Sequence, residues 1–191
     1  MGKLSCAITG HRPTRFKFKY CEDNNGCVQL KKRLKKQIIR LYEMGVHHFW
    51  VGGALGVDMW AAEILILLKT QPEYSDISFT LALPFDGYDE KWDSHSKNRM
   101  QLIRHHAGII VVSDKYGTAG YSERNHYMVD HADCLLAIYD NDRSIRSGTG
   151  MTVHYAEKKK LPVILIHPEH AKIGYINEQY LNNMFECKEK E

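Results

Sequence analysis

Residues 51–58, with the sequence VGGALGVD, combine glycines and an aspartate in a pattern suited to binding an anion. An apolar run precedes them, and a longer apolar run with helical periodicity follows, so the pattern predicts a strand, a tight turn and a helix. Such a turn presents backbone N–H groups and the positive end of a helix dipole to a ligand. Gly52 and Gly53 let the backbone approach that ligand, and Gly56 lets the helix start pack closely. Asp58 can cap the helix or accept a hydrogen bond from a ribose hydroxyl. A capped turn without any ligand explains these residues equally well.

Other polar and glycine residues follow other apolar runs in the same way. Arg12, in the turn after the first run, would offer a fixed positive fork to a phosphate or carboxylate. A second glycine-containing helix start lies at residues 147–152, where backbone N–H groups could hold a further phosphate. Together with the glycines and the aspartate above, the predicted ligand-binding residues are Thr9, Gly10, His11, Arg12, Pro84, Asn98, Arg99, Arg124, Asn125, Asp140, Gly148, Thr149, Gly150 and Thr152.

The elements that must position these residues alternate between strands and helices. The predicted strands are Leu4–Thr9, Val46–Val51, Ile77–Leu83, Gly108–Val112, Cys134–Tyr139 and Val163–Ile166. Residues 14–28 are interpreted as a loop, and helices are predicted at 29–44, 59–69, 88–106, after 122–125, at 153–160 and at 175–186. This order predicts an α/β protein: a Rossmann-like three-layer sandwich with a mostly parallel sheet of about six strands. Residues 1–191 are expected to form a single domain with its core at 4–167.

Parallel strands bring their carboxyl ends to one edge of the sheet, where α/β proteins of this kind bind ligands. Gly10, Gly53, Pro84 and Gly148 should therefore lie at one edge. Two helix N-termini aimed at one crevice would suit a pyrophosphate or several phosphates. Within that crevice we expect Arg12 and Arg124 to neutralise charge. Asp58 or Asp140 would accept from a sugar hydroxyl, and Asn125 or Asn98 would read a base or amide edge.

Composition narrows the functional classes. Among 191 residues, 26 Lys and Arg face 23 Asp and Glu, and a net charge of +3 does not by itself favour a nucleic acid or a membrane as partner. Five cysteines without a CxxC pair are typical of a reducing compartment. The longest apolar run is far shorter than a membrane span, and no signal peptide precedes the first strand. We therefore expect a soluble, cytoplasmic protein, with homo-oligomerisation left open.

The sequence gives weaker support to a metal site, a serine nucleophile or a nucleic-acid surface. The chain has eleven histidines, and His126 and Asp130 could share one helix face and touch an ion. No histidine cluster offers three ligands at a recurrent spacing, so no metal site is predicted. A nucleophile elbow of the GxSxG type is absent. The basic face of helix 29–44 is a candidate surface for nucleic acid, but aromatic residues are not interleaved with it as stacking would require.

Taken together and in order, six motifs resemble the YpsA-like family of the SLOG superfamily, which includes the DNA-processing protein DprA and the LOG phosphoribohydrolases. These motifs are TGHRP at 9–13, GGALGVD at 52–58, LPF at 83–85, RNHYMVD at 124–130, LLAIYD at 135–140 and GTGMT at 148–152. The resemblance implies a nucleotide-derived ligand of the NAD or ADP-ribose type. It does not imply a settled reaction, because many relatives resemble sensors or binding modules.

One difference from the LOG hydrolases of that superfamily decides the order in which the possible functions are ranked. LOG-type hydrolases carry a catalytic glutamate in the pattern PGGxGTxxE, whereas residues 147–154 here read SGTGMTVH, with no acidic residue before Glu157. General acid–base work at this position needs a group within hydrogen-bond reach, and Val153 cannot supply one. Ligand binding is therefore preferred to N-glycosidic hydrolysis, and nucleic-acid binding ranks third. No catalytic residue and no firm cofactor are assigned.

Overall fold

In the computed structural model, which describes residues 4–181, one seven-stranded sheet forms the middle layer. Its spatial order is β4-β3-β2-β1-β5-β6-β7, and β1 to β6 run parallel while β7 runs antiparallel to β6. The bounds are β1 Leu4–Gly10, β2 Val46–Val51, β3 Ser78–Leu83, β4 Gly108–Val111, β5 Cys134–Ile138, β6 Val163–Ile166 and β7 Ile173–Ile176. The six predicted strands all form, each within one residue of its predicted bounds.

The seventh strand corrects the predicted terminal helix at 175–186. Tyr175 and Ile176 belong to β7, which pairs with β6 from Ile166↔Ile173 to Val163↔Ile176. Their apolar spacing is compatible with a helix, but a short antiparallel hairpin satisfies the outer edge of β6, which would otherwise be unpaired. A helical turn begins only at Glu178, and residues 182–186 lie outside the described part of the chain.

Five helices connect the strands, and their starts differ most from prediction. They are α1 Asn25–Glu43, α2 Val57–Lys69, α3 Ser94–His106, α4 Thr118–Asp130 and α5 Gly148–Lys158. The first turn of α1 lies in the predicted loop, because the Asn24 side chain accepts from the Gly26 N–H and caps the helix there. Asp93 caps α3 in the same way, which delays that helix relative to the predicted start at 88. Helix α4 starts four residues before Ser122; its Gly120 packs against Lys115 so closely that a Cβ would lie 2.1 Å from the Lys115 carbonyl oxygen.

The helices cover both faces of the sheet and give the predicted three layers. On one face, α1, α2 and α3 pack over side chains such as Ile8, Phe49 and Leu81. On the other face, α4 and α5 pack over smaller residues of the strands, including Ala7 and Ala137. Burial on both sides is what the near-continuous apolar strands require.

The sheet reverses its direction of growth at β1. This strand pairs with β2 on one side and with β5 on the other, so the loops after β1 and β5 flank a topological switch point. Gly10 ends β1, Gly53 and Pro84 follow β2 and β3 directly, and Gly148 begins the helix after β5. Among the described residues, no helix combines the length and apolar character needed to cross a membrane.

Candidate anion-binding site

A crevice of about 300 Å³ lies at the carboxyl edge of the sheet, beside the switch point. We call it the arginine crevice. Loops after β1 and β2, the first turn of α2, one face of α4 and the start of α5 surround it. The predicted ligand-binding residues that line it are Thr9, Gly10, His11, Arg12, Asp58, Arg124, Asn125, Gly148 and Thr149. The structure thus brings together residues from four separate sequence motifs.

The charge of the arginine crevice is strongly positive. Arg12, Arg15, Arg124 and Arg146 line it, and within residues 4–181 Asp58 is the single carboxylate that does so. This concentration contrasts with the small net charge of the whole chain. Arg15 and Arg146 were missed at the sequence level, although Arg15 follows the first strand by five residues and Arg146 directly precedes the second glycine helix start. Four guanidinium groups around one concavity are suited to phosphate or carboxylate groups.

Arg124 and Asp58 form a buried pair at the back of the crevice. Arg124 Nη1 lies 3.3 Å from Asp58 Oδ2, and both side chains are less than a tenth exposed. The same Asp58 oxygen accepts from the Ala54 N–H at 3.1 Å. Burial raises the pKa of Asp58, and Arg124 and the Ala54 N–H oppose that rise only in part. Arg124 Nε is buried and has no hydrogen-bond partner in the described residues.

Three glycines shape the arginine crevice from behind. A Cβ at Gly52 would lie 1.4 Å from Arg124 Nη1 and 2.6 Å from Asp58 Oδ2, so only glycine leaves room for the pair. Gly53 has a positive φ of 68°, and its carbonyl accepts from the Tyr88 hydroxyl at 3.0 Å. Gly56 precedes α2 with a φ of 90°, against Pro13. None of the three lines the crevice, and Gly52 and Gly53 shape its walls. That their N–H groups hold a phosphate stays a prediction.

The N-terminus of α5 does face the arginine crevice. Ser147 caps this helix by accepting from the Gly150 N–H at 3.0 Å, and Ser147, Gly148 and Thr149 all line the crevice. The positive end of the helix dipole therefore adds to the charge of the arginines. Thr152 is buried, and its hydroxyl donates to the Gly148 carbonyl. Gly150 and Thr152 support the helix start and do not line the crevice.

His11 separates the arginine crevice from a larger adjoining cavity of about 840 Å³. The imidazole is buried, packs edge-on against Tyr139, and has its Nε2 without a hydrogen-bond partner in the described residues. Asp140 Oδ1 lies 3.9 Å from that nitrogen, across the switch point. Burial lowers the pKa of His11, while Asp140 acts in the opposite direction. Asp140 lines the adjoining cavity and not the arginine crevice.

Three predicted ligand residues lie elsewhere. Asn98 is exposed on α3, and the neighbouring Arg99 is held by Glu22 and Glu63. Pro84 is buried, and its carbonyl accepts from the Ser113 N–H. All three come from the β3–α3 region, and only Pro84 was predicted from the strand-end rule, since Asn98 and Arg99 lie within a helix.

The histidine and the carboxylates considered above as metal ligands or catalytic groups are held by other side chains of the protein. His126 stacks on Tyr155 with ring centroids 4.0 Å apart, and Asp130 accepts from the Tyr155 hydroxyl and pairs with Lys159. Glu157 pairs with Arg143, outside the arginine crevice. Over residues 4–181, no group of three or more His, Cys, Asp and Glu side chains is arranged to hold a metal ion.

Comparisons with known proteins identify the family of the chain. Residues 6–171 match the family described as the YspA SLOG family. The chain belongs to this family.

Its relatives include proteins named UPF0398. That of Bacillus cereus is 28% identical over 140 residues, covering 72% of this chain and 74% of the relative. That of Staphylococcus aureus strain JH9 is 30% identical over 117 residues, covering 60% of this chain and 62% of the relative. The match thus spans less than two thirds of the staphylococcal protein.

Among solved structures, the fold resembles that of DNA processing protein A from Helicobacter pylori, described in a study of its single-stranded DNA binding mode. The TM-score is 0.58 at 20% identity, covering 95% of this chain and 72% of that one. At this identity the likeness establishes a shared fold.

Proposed function

We propose that the arginine crevice binds the phosphate groups of a nucleotide-derived small molecule of the NAD or ADP-ribose type, so that the protein acts as a binding or sensing module. The main observation behind this proposal is that the buried guanidinium of Arg124 is incompletely hydrogen-bonded. Its guanidinium is buried at the crevice wall, holds Asp58 through one 3.3 Å contact and leaves Nε unpartnered. The other arginines and the α5 N-terminus surround the same space.

A buried guanidinium with unused donors is costly to the fold. An unsatisfied buried polar group destabilises a fold by about 1–3 kcal/mol, and more when it is charged. A phosphate supplies several strong acceptors and a compensating negative charge, and a pyrophosphate can contact more than one arginine at once. Binding would therefore satisfy groups that the fold leaves unsatisfied, which is a reason for the site to favour an anion.

Calorimetric titration with ADP-ribose tests the proposal. We expect wild-type protein to bind, and Arg146→Gln to weaken binding roughly ten-fold, since each hydrogen bond to a charged group contributes about 1.5–3 kcal/mol. Arg143→Gln is the matched control, because Arg143 lies three residues away on the same loop and pairs with Glu157 outside the crevice. Failure of ADP-ribose, NAD, nucleoside mono- and diphosphates and inorganic pyrophosphate to bind wild-type protein would contradict the proposal.

An N-glycosidic hydrolase is the second candidate, supported by the proximity of Asp140 to His11. The only carboxylate of the arginine crevice in the described residues, Asp58, is already engaged by Arg124 and the Ala54 N–H. Asp140 is partly exposed and stands beside a histidine whose lowered pKa favours the neutral form near pH 7. We expect AMP to survive incubation with the protein. Release of adenine that is lost in Asp140→Asn would promote the hydrolase to first place.

Single-stranded DNA is the third candidate ligand, because the structural neighbour from H. pylori is described as binding it. The basic face of α1 is less available for DNA than the sequence suggests. Lys31 pairs with Glu22, and Arg33 donates to the carbonyls of His167, Pro168 and His170. We expect an oligothymidylate to bind more weakly than ADP-ribose in the same titration, and tighter binding of the oligonucleotide would reverse this order.

A further inference from the structure

A second, smaller pocket opens off the arginine crevice toward α3. Its volume is about 150 Å³, and four aromatic side chains line it: Tyr20, Tyr88, Trp92 and Tyr121. We call it the aromatic pocket. It shares Arg12, Thr14, Ala54 and Tyr121 with the arginine crevice, so the two spaces have a common wall.

The walls of the aromatic pocket are fixed by contacts outside it. The Tyr88 hydroxyl donates to the Gly53 carbonyl at 3.0 Å, which ties this ring to the glycine turn after β2. Trp92 packs edge-on against Tyr88, with centroids 5.5 Å apart and planes at 84°. Tyr121 packs edge-on against Phe85 at 5.5 Å. Tyr20, by contrast, is 63% exposed at the rim, so its ring is accessible to a ligand.

Arg12 lies where the two spaces meet. Its guanidinium stands over the Tyr121 ring at 5.1 Å from the centroid, and Arg124 stands 5.9 Å from the same centroid. Arg12 is exposed, and within residues 4–181 no carboxylate forms an ion pair with it. The junction therefore combines an unpaired cation with an aromatic surface, an arrangement that suits a phosphate on one side and a ring on the other.

We propose that the aromatic pocket is the base subsite of the ligand whose phosphates lie in the arginine crevice, which rests on the function proposed above. A nucleotide carries its planar base one sugar away from its phosphate, and the two spaces share one wall. Every nucleobase has a π-face that stacks on tyrosine or tryptophan, so aromatic walls recognise the base without reading its edge.

The larger adjoining cavity is a weaker candidate for the base, although it also contains aromatic rings. Phe16 and Phe18 stack on each other with centroids 5.0 Å apart, and both pack against Trp60 in the core. Their faces are thus already covered by protein. In the aromatic pocket, by contrast, the Tyr20 ring is 63% exposed, which leaves it open to a ligand.

The test compares Tyr20→Ala with Tyr116→Ala in titrations with ADP-ribose and with ribose 5-phosphate, which lacks a base. Tyr116 is also a strongly exposed tyrosine, at 76%, but it does not line the aromatic pocket. Loss of one stacking partner should weaken ADP-ribose binding roughly ten-fold in Tyr20→Ala and leave ribose 5-phosphate unchanged. Tyr116→Ala should bind both ligands as wild type does.

Tryptophan emission gives an independent measurement. ADP-ribose should quench the fluorescence of wild-type protein, and the quench should disappear in Trp92→Phe, where Trp50 and Trp60 remain as reporters of folding. If wild-type protein binds ADP-ribose and ribose 5-phosphate equally well, or if Tyr20→Ala binds ADP-ribose normally, the base subsite is wrong while phosphate binding stands. If neither ligand nor pyrophosphate binds, the proposed function fails first.

Discussion

Two arginines, on helices that cover opposite faces of the sheet, have opposite surroundings. Arg99 on α3 donates to Glu63 through Nε and Nη2 at 2.8 and 2.9 Å, and to Glu22 through Nη1 at 2.9 Å. Arg124 on α4 is more deeply buried, yet it has one carboxylate at 3.3 Å and an unpartnered Nε. The hydrogen-bonding capacity of the first is used within the protein, whereas that of the second is left open beside a crevice.

The pKa values of the carboxylates express the same difference. Burial would raise the pKa of Glu22, but hydrogen bonds from Arg99 and Lys31 lower it to about 2. Burial also raises the pKa of Asp58, and there the contact with Arg124 does not compensate. A well-made ion pair favours the charged form, and a loose one in a buried place does not. We infer that Arg99 is there to hold α3 in place, and that Arg124 is there to meet a ligand.

The largest expected effect separates these two roles directly. Arg124→Gln should weaken ADP-ribose binding roughly ten- to hundred-fold, because it removes charge-assisted hydrogen bonds to phosphate. Arg99→Gln should leave binding unchanged and lower the free energy of unfolding by about 1–3 kcal/mol, since two partly buried carboxylates lose their partner. Titration calorimetry and urea unfolding measure the two quantities.

Circular dichroism supplies the control for this pair, since both variants must be folded for the titrations to be compared. Arg124→Gln retains a donor for Asp58, and the raised pKa of that carboxyl lets it take up a proton where the ion pair is lost. Wild-type affinity in folded Arg124→Gln, or equal loss of affinity in Arg99→Gln, would remove the distinction.

The sequence predicted which loops meet, but not what each residue does there. Strand ends are readable because buried parallel strands are nearly continuous apolar runs, and the rule for their carboxyl ends then brings the loops of His11, Gly53 and Gly148 together. The role of Gly52 was not readable in that way. Glycine after a strand indicates a close approach of something to the backbone, and here the approaching group is the Arg124 side chain itself.

Arg99 was predicted to bind a ligand because its contacts, like those of Gly52, are made with residues distant in sequence. Its partners Glu22 and Glu63 lie 77 and 36 residues away in sequence, so no local pattern shows that the guanidinium is already occupied. Arg15 and Arg146 were missed for the opposite reason. Arg15 ends a short 3-10 helix and Arg146 stands in a loop, and only the folded arrangement shows that both line one crevice.

A smaller perturbation tests whether binding of ADP-ribose depends on the present position of the Arg124 guanidinium. Gly52→Ala places a methyl group 1.4 Å from the present position of Arg124 Nη1, so the guanidinium must move. We expect ADP-ribose affinity to fall about ten-fold, the contribution of one charge-assisted hydrogen bond. Gly174→Ala in β7 is the matched control, since its Cβ would make only ordinary contacts at 3.6 Å with Leu165. Unchanged affinity in Gly52→Ala would show that binding does not depend on this position of the Arg124 guanidinium.

The smallest effect is the dependence of stability on pH, and the two carboxylates should give it opposite signs. Glu22 has a pKa of about 2 in the folded protein and 4.5 ordinarily, so its stabilisation is fully present above about pH 4.5 and is lost as the pH falls toward 2. The difference in unfolding free energy between wild type and Glu22→Gln should therefore shrink over that range. Because Glu22 is partly exposed, we expect no more than about 1–2 kcal/mol in total.

Asp58 should behave in the reverse manner. Its pKa in the folded protein lies above its ordinary value of 3.8, so the folded state binds the proton more readily and stability falls as the pH rises beyond that value. Urea unfolding of wild type and Asp58→Asn at a series of pH values isolates this contribution, since the asparagine does not titrate. A slope of the same sign as that of Glu22 would mean that Arg124 already holds Asp58 as firmly as Arg99 holds Glu22. The contrast between the two ion pairs would then be lost, and the unpartnered Nε of Arg124 would be the remaining reason to expect that this side chain binds a phosphate.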